Sequence, residues 1–145
     1  MLSRFLANSF FNFAKVCRTP SEAIQGLKDK DFLLAGGFGL CGIPMNLINA
    51  VRESNVKNLT IASDGFGRGD LTGKNDWGLG VLLPTNQVKR AIVSFIGTNK
   101  RLEHMYLNGE IEVELTPQGT LAEKIRSGGA GIPAFYTKTG AYTNV

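Results

Sequence analysis

FLLAGGFGLCGIPMN, residues Phe32 to Asn46, is a short apolar run that passes into a glycine-crowded turn and then meets a proline. The run itself, Phe32 to Ala35, reads as a buried strand. Four glycines within seven positions, Gly36, Gly37, Gly39 and Gly42, let the backbone take positive φ and let a bulky ligand come close to the main chain. Pro44 suits the start of a helix, where its missing N–H is no loss and its fixed φ is already helical. A strand feeding a glycine turn and a helix N-terminus presents unpaired N–H groups and the positive end of a dipole, which favours an anionic group such as a phosphate.

Working outward, the helix after the glycine turn carries Leu47, Ile48 and Val51 on one face, and Asn58 to Ala62 reads as a second buried strand. A strand, a helix and a strand with the required right-handed crossover predict an α/β domain with a mostly parallel sheet. Upstream, Thr19-Pro20-Ser21-Glu22 is a capping box with proline at the first helical position, predicting a helix through about Leu27. Downstream, Ser63 to Gly80 holds six glycines among eighteen residues and has no periodicity, so it is a functional loop or a partly disordered one. Further elements are predicted as a strand over Val88 to Ile96, a helix over Lys100 to Leu107 ended by Asn108-Gly109, and a strand over Ile111 to Leu115. Thr116-Pro117-Gln118-Gly119 then reads as an exit turn, and Thr120 to Glu123 as a second capping box whose helix Gly128-Gly129 stops. The last segment, Ile132 to Val145, has a strand-like PAFYT and a turn-rich tail. No internal repeat and no linker divides the chain.

The chain has 145 residues, 43% hydrophobic and 19% charged, the balance of one soluble globular domain. Its net charge of +4 is not spread over the body: Arg4, Lys15 and Arg18 precede the first acid, Glu22. From residue 19 onward 13 basic groups face 12 acidic ones, 13 − 12 = +1, so the footprint of a nucleic-acid binder is missing. No apolar run reaches the roughly 18 residues of a membrane span. Cys17 and Cys41 have neither metal-ligand spacing nor a disulfide framework, which points to a reducing compartment, and no metal ligand set is expected. Residues 1–18, MLSRFLANSFFNFAKVCR, contain Arg and Lys but no acid and can place Leu6, Phe10 and Phe13 on one helical face. That resembles a mitochondrial transit peptide and implies the matrix; otherwise the chain is cytoplasmic.

Gly37-Phe38-Gly39-Leu40-Cys41-Gly42 also satisfies GxGxxG, with Asp64 ending the next strand where a dinucleotide fold puts its ribose-binding acid. Two features speak against nicotinamide or flavin binding. Asp64 follows Gly37 by 27 residues (64 − 37) rather than about 20, and Pro44 falls where that motif's helix should already be running.

Taken together, GGFGLCGIP (Gly36 to Pro44), GLGVLL (Gly78 to Leu83) and above all NGEIEVELTPQGTLAEKIRSGGAGIPAFYT (Asn108 to Thr137) resemble the N-terminal, or A, portion of the family I coenzyme A transferases. The likeness runs over residues 19–145. It implies helices on both faces of the sheet and a CoA thioester as substrate, with no bound cofactor. The implied reaction moves CoA from succinyl-CoA to a 3-oxoacid such as acetoacetate, as in ketone-body catabolism, through anhydride and enzyme-CoA thioester intermediates on a glutamate. In the family that glutamate belongs to a Ser-Glu-Asn-Gly motif of the B portion, which this sequence lacks. The resemblance therefore implies a B-type partner, on the same longer chain or as a separate subunit of an oligomer, and inactivity of this stretch alone. It also implies that residue 145 lies about halfway through an A portion, so that the sheet is incomplete.

Gln118 matches the glutamine that the family places at its active site. A carboxylate attacking a thioester needs a neutral donor near the developing oxyanion, because a second carboxylate would repel it, and an amide fits that need. The resemblance adds Gly36, Gly37, Phe38, Gly39, Gly42, Pro44, Asp64 and Gly65 as candidate substrate- or CoA-binding residues. Three positions depart from the pattern. Ser63-Asp64-Gly65-Phe66-Gly67 stands where the family commonly has Ser-Asn-Asn-Ala-Gly, the loop that follows is about six residues longer, and Met45 replaces a frequent Glu. An anion at Asp64 would disfavour a carboxylate substrate unless it is paired, with Arg68 or Lys74 as the candidates. A non-enzymatic, partner-binding remnant is the rival reading. His104 is expected as a surface or packing residue, Cys41 as a small packing residue, and Glu110, Glu112 and Glu114 as one solvated strand face.

Overall fold

The computed structural model describes residues 16–143. The transit-peptide reading of residues 1–18 therefore lies almost wholly outside the described residues, as do the last two residues of the tail. Four strands, β1 (Phe32–Leu34), β2 (Leu59–Gly65), β3 (Val88–Phe95) and β4 (Glu112–Leu115), form one sheet in the order β1-β2-β3-β4, every neighbouring pair parallel. The helices are α1 (Pro20–Ala23), α2 (Met45–Ser54), α3 (Lys100–Leu107) and α4 (Gln118–Ala130), with a 3₁₀ turn at Gly78–Leu82.

Strands laid down in chain order by crossovers of one hand put every crossover on the same face. That face is the core. Leu59, Ile61, Ala91 and Val93 project from β2 and β3 onto Ile48 and Val51 of α2, Leu79, Val81 and Leu82 of the 3₁₀ turn, and Leu102 and Met105 of α3. Gln87 joins the layers: its Nε2 donates to the carbonyls of Val51 and Val56 at 2.8 and 3.0 Å, and its Oε1 accepts from Thr85 Oγ1. Among the described residues, α4 is the helix on the opposite face. Phe32, Leu34, Ala62 and Ile92 line a groove of about 370 Å³ against Leu121 and Ile125, and Phe32 and Leu34 stay more than half exposed. Glu114 is not a plainly solvated residue there, because it accepts from Arg90 at 2.6 Å and from Lys124 at 2.8 Å, tying β3, β4 and α4 together.

Several expected boundaries move. The box at Thr19 closes on Glu22 N at 3.1 Å, yet Glu22 reaches back to Arg18 N rather than to Thr19, and α1 ends at Ala23. Asn58 precedes β2 in a left-handed conformation instead of opening the strand. The second capping box does not form. Pro117 takes the N-cap position, its carbonyl accepts from Leu121 N at 2.9 Å, and the expected exit turn at Gln118-Gly119 becomes the first turn of α4. That leaves Thr120 inside the helix, with a buried Oγ1 that finds no partner among the described residues. Gly128-Gly129 do not stop α4 either; it runs to Ala130, where Gly131 at φ +69° lets Ile132 N reach the Ser127 carbonyl at 2.9 Å. PAFYT pairs with no strand among the described residues and is irregular: Pro133 lacks a donor, and Tyr136 is fully exposed.

The long glycine-rich loop is ordered, and its glycines are the reason. Arg68 and Trp77 exchange backbone hydrogen bonds at 3.0 and 2.8 Å, closing a hairpin whose base presses on the chain below. A Cβ at Gly67, where φ is +69°, would lie 2.1 Å from the Trp77 oxygen, and one at Gly80 would lie 2.2 Å from the Arg68 oxygen. The buried Asn99 side chain holds the seam: Nδ2 donates to the Phe66 carbonyl at 3.0 Å, while Oδ1 accepts from Leu102 N and caps α3. At the tip, Asp70 accepts from Thr72 and Asn75, and these bonds hold its carboxyl at about 2.

Asn99→Ala should lower the unfolding free energy by about 2–3 kcal/mol, since it strips a helix cap and leaves a buried carbonyl unpaired; urea denaturation of the two proteins measures it. A loss within error of zero would show that the seam does not depend on this side chain. Glu114 gives a pH signature. Its carboxyl is held below the ordinary carboxylate range, first by the Lys124 hydrogen bond and then by Arg90 and Thr116. A depressed folded pKa contributes stability above the unfolded pKa and loses it as pH falls through the folded value. Glu114→Gln should therefore lower stability near neutral pH and flatten its decline on acidification, and parallel decline in both proteins would contradict the clamp.

Candidate functional site

Parallel strands deliver all their exit loops to one edge of the sheet, the carboxyl edge. There β1 leads into Gly36 and Gly37, β2 ends in Ser63 to Gly65, and β4 leads through Pro117 to Gln118. Gly36, Gly37 and Gly39 meet Ser63, Gly65 and Gly67 around a notch closed by Ile43 and Leu79. Its volume of about 10 Å³ takes roughly one water, so the notch is a cradle for a single group rather than a pocket for a whole ligand. The amides of Gly36, Gly37 and Gly39 donate to no other described residue.

Between the glycines the chain makes a small hairpin: Phe38 and Cys41 exchange backbone bonds at 3.0 Å in both directions around Gly39-Leu40. Gly37, Gly39 and Gly42 all take positive φ, and a Cβ at Gly37 would press on Ile43 at 3.1 Å. Phe38 and Cys41 are carried outward by this hairpin and are exposed, so Cys41 is not a packing residue. Pro44 stands at the N-cap of α2, one residue before the helix, and borders a separate shallow surface with Met45 to Leu47. A hairpin followed by a proline is not the tight strand-to-helix turn of a dinucleotide site.

Asp64 lies with Ala62 on the face opposite the notch, as strand alternation requires. Neither expected pairing occurs: Arg68 Nε donates to the Asn75 carbonyl, and Asp64 forms no ion pair among the described residues. Its partner is Ser94 of β3, whose Oγ lies 2.6 Å from Oδ1 and 2.8 Å from the Asp64 carbonyl. Gln118 opens α4 with its side chain exposed and engaged by no other described residue. It shares the carboxyl edge with the notch but sits at the far strand, two to three inter-strand spacings of ~4.8 Å away, on the order of 10–14 Å.

The notch thus unites Gly36, Gly37, Gly39 and Gly65. Phe38, Gly42, Pro44, Asp64 and Gln118 do not line it. Ser63, Gly67, Ile43 and Leu79 were not legible as lining residues, because only the β1–β2 register and the folded loop bring them there. His104 is exposed on α3 beside Asn108, and among the described residues no cluster of His, Cys, Asp or Glu could hold a metal. No helix among the described residues is long and apolar enough to cross a membrane.

Comparison with known proteins fits this geometry. Residues 17–145 match the sequence pattern of the coenzyme A transferases. The chain is 53% identical over 131 residues to the A-type subunit of a probable succinyl-CoA:3-ketoacid coenzyme A transferase of Bacillus subtilis, covering 90% of this chain and 52% of that one. It is 52% identical over 126 residues to the mitochondrial succinyl-CoA:3-ketoacid coenzyme A transferase 2A of Rattus norvegicus, covering 87% of this chain and 23% of the other. The chain thus spans about half the length of the bacterial relative and about a quarter of the mitochondrial one. Among solved structures, the acyl-CoA transferase YdiF of Escherichia coli O157:H7, in its thioester complex with CoA, superposes with a TM-score of 0.71 at 25% identity over 86% of this chain and 25% of that one. Parallel sheet, glycine-lined edge and sequence agree: the chain belongs to the coenzyme A transferase family, whose members act on CoA thioesters.

Proposed function

We propose that this chain forms A-type structure of a transferase that moves CoA from succinyl-CoA to a 3-oxoacid such as acetoacetate, the attacking carboxylate coming from a B-type portion on the same longer polypeptide or on a separate subunit. The observation that carries the reading is the carboxyl edge itself, which gathers free glycine amides at one end and an unengaged amide side chain at the other. The bacterial A-type relative and the mitochondrial one support it at about half identity.

The chemistry follows from those groups. A carboxylate from the B-type portion attacks the thioester carbonyl, CoA thiolate leaves, and an acyl anhydride forms on the protein. The thiolate then attacks the protein's own carbonyl, releasing succinate and leaving an enzyme-CoA thioester. Acetoacetate repeats the two steps in reverse and departs as acetoacetyl-CoA. Each addition builds negative charge on a carbonyl oxygen, and the Gln118 amide, a neutral donor that neither repels the nucleophile nor captures it, suits that oxygen. The glycine amides and the N-terminal N–H groups of α4 add uncharged donors along the same edge. The acid-free residues 1–18 support import into the mitochondrial matrix, as in the mitochondrial relatives.

The test measures CoA transfer from succinyl-CoA to acetoacetate once the purified chain has been mixed with a separately expressed B-type subunit. A stable complex with turnover is expected, with none from the chain alone. Gln118→Ala should lower kcat by about 10²–10³-fold with KM little changed, the size of losing one oxyanion donor. Turnover by the chain alone, or an undiminished kcat in the variant, would overturn the assignment of roles. A complex without turnover would leave a partner-binding protein.

A further inference from the structure

The glycine-lined edge has one acid on the strand ends that build it, Asp64, and the fold deals with that charge in a specific way. β1 and β2 are in register with Leu34 beside Ala62 and the Ala35 N–H on the Ala62 carbonyl, so that Gly36, just past the paired residues, meets Ser63 and Gly65, the two residues flanking Asp64. β2 and β3 place Ala62 beside Ile92 and Gly65 beside Phe95, so Asp64 has Ser94 as its neighbour on the other side. A free carboxylate at that point would bias the edge against any anion. It is not free: strand alternation puts it on the face away from the notch, and the Ser94 hydroxyl, which reaches both its Oδ1 and its carbonyl oxygen, holds the side chain against β3 there.

We propose that Ser94 is a positioning residue that holds the Asp64 carboxylate against β3 and back from the carboxyl edge, on the face that strand alternation gives it, so that a substrate bearing a carboxylate can approach an edge that would otherwise repel it. The inference rests on the proposed function for the nature of the substrate, but not for the geometry. The alternation of β2 and the Ser94 hydrogen bond together decide where the charge lies. With no cation paired to Asp64 among the described residues, the hydroxyl is the group that restrains it. A unit charge swinging a few ångströms closer at an effective dielectric of about 20 changes anion affinity by about fivefold to tenfold.

Two measurements test this separately. On the chain alone, relaxation of the Gly36 and Gly37 amide protons by an anionic and by a neutral nitroxide reports the local potential. Ser94→Ala should cut the anionic probe's effect about twofold relative to the neutral one, Ser94→Thr should leave it unchanged, and Ser94→Ala with Asp64→Asn should restore it. In the complex with a B-type subunit, Ser94→Ala should raise KM for acetoacetate about fivefold to tenfold with kcat within twofold, less so at high salt, and the same double variant should reverse the rise. Equal probe ratios in wild type and Ser94→Ala would overturn the inference whatever the activity, as would a KM change that Asp64→Asn does not reverse. A probe shift in a complex that turns nothing over would keep the inference and remove the proposed function.

Discussion

Parallel pairing is the constraint on which this structure depends. A strand that runs beside its predecessor in the same direction must first be carried back, and the carrier has one allowed hand. With four strands laid down in spatial order, all three returns fall on one face. Leu59, Ile61, Leu82 and Leu102 are wholly buried there, each contributing about 1.5–3 kcal/mol by leaving water. The same geometry commits all four exit segments to one edge. The position of the candidate site is thus a consequence of how the sheet is wound rather than of any one motif.

The second return is the costly one, because no helix longer than a 3₁₀ turn makes it. The chain instead doubles back through Arg68 and Trp77 and lies on its own backbone, at separations that side chains would forbid at Gly67 and Gly80. Backbone packed on backbone needs its polar groups answered, and Asn99 answers two, one on each side of the seam. Stability of the loop and capping of α3 are therefore one interaction, which couples the roof of the notch to the helix beyond β3.

Much of this was legible in the sequence, for reasons that differ by element. The β1–glycine–α2–β2 unit could be read because apolar periodicity and punctuation by Gly36, Gly37 and Pro44 agreed. Lys100 to Leu107 appears with the bounds its pattern predicts, since Asn99 and Gly109 act locally at its ends. Around Pro117 local signals competed: Thr120 and Glu123 spelled a capping box, but the carbonyl of Pro117 was already placed to start the helix, and tertiary packing of Leu121 favoured the earlier start. The glycines of the site were visible as a motif. Their companions Ser63 and Gly67, and the Ser94 hydroxyl beside Asp64, depend on strand register, and no local pattern encodes register across thirty residues.

The open face of the sheet then shows how burial and chemistry divide. Over β1 and the middle of the sheet it is carbon, with Phe32, Leu34, Ala62 and Ile92 facing α4. Level with Leu34, Ala62 and Ile92, the same face turns polar on β4 at Glu114 with its two cations, and one rung toward the carboxyl edge at Asp64 and Ser94; beyond β4 Gln118 is exposed. Polarity thus varies across this one face, while the opposite face is the apolar core. An acid so near an edge suited to anions is held back from it by strand alternation and by one hydroxyl hydrogen bond, which takes one serine rather than a buried cation. A lysine in that place would neutralise Asp64, which a hydroxyl does not, but it would stand beside the path of an attacking carboxylate and compete for it; a hydroxyl restrains the charge and adds only a neutral donor.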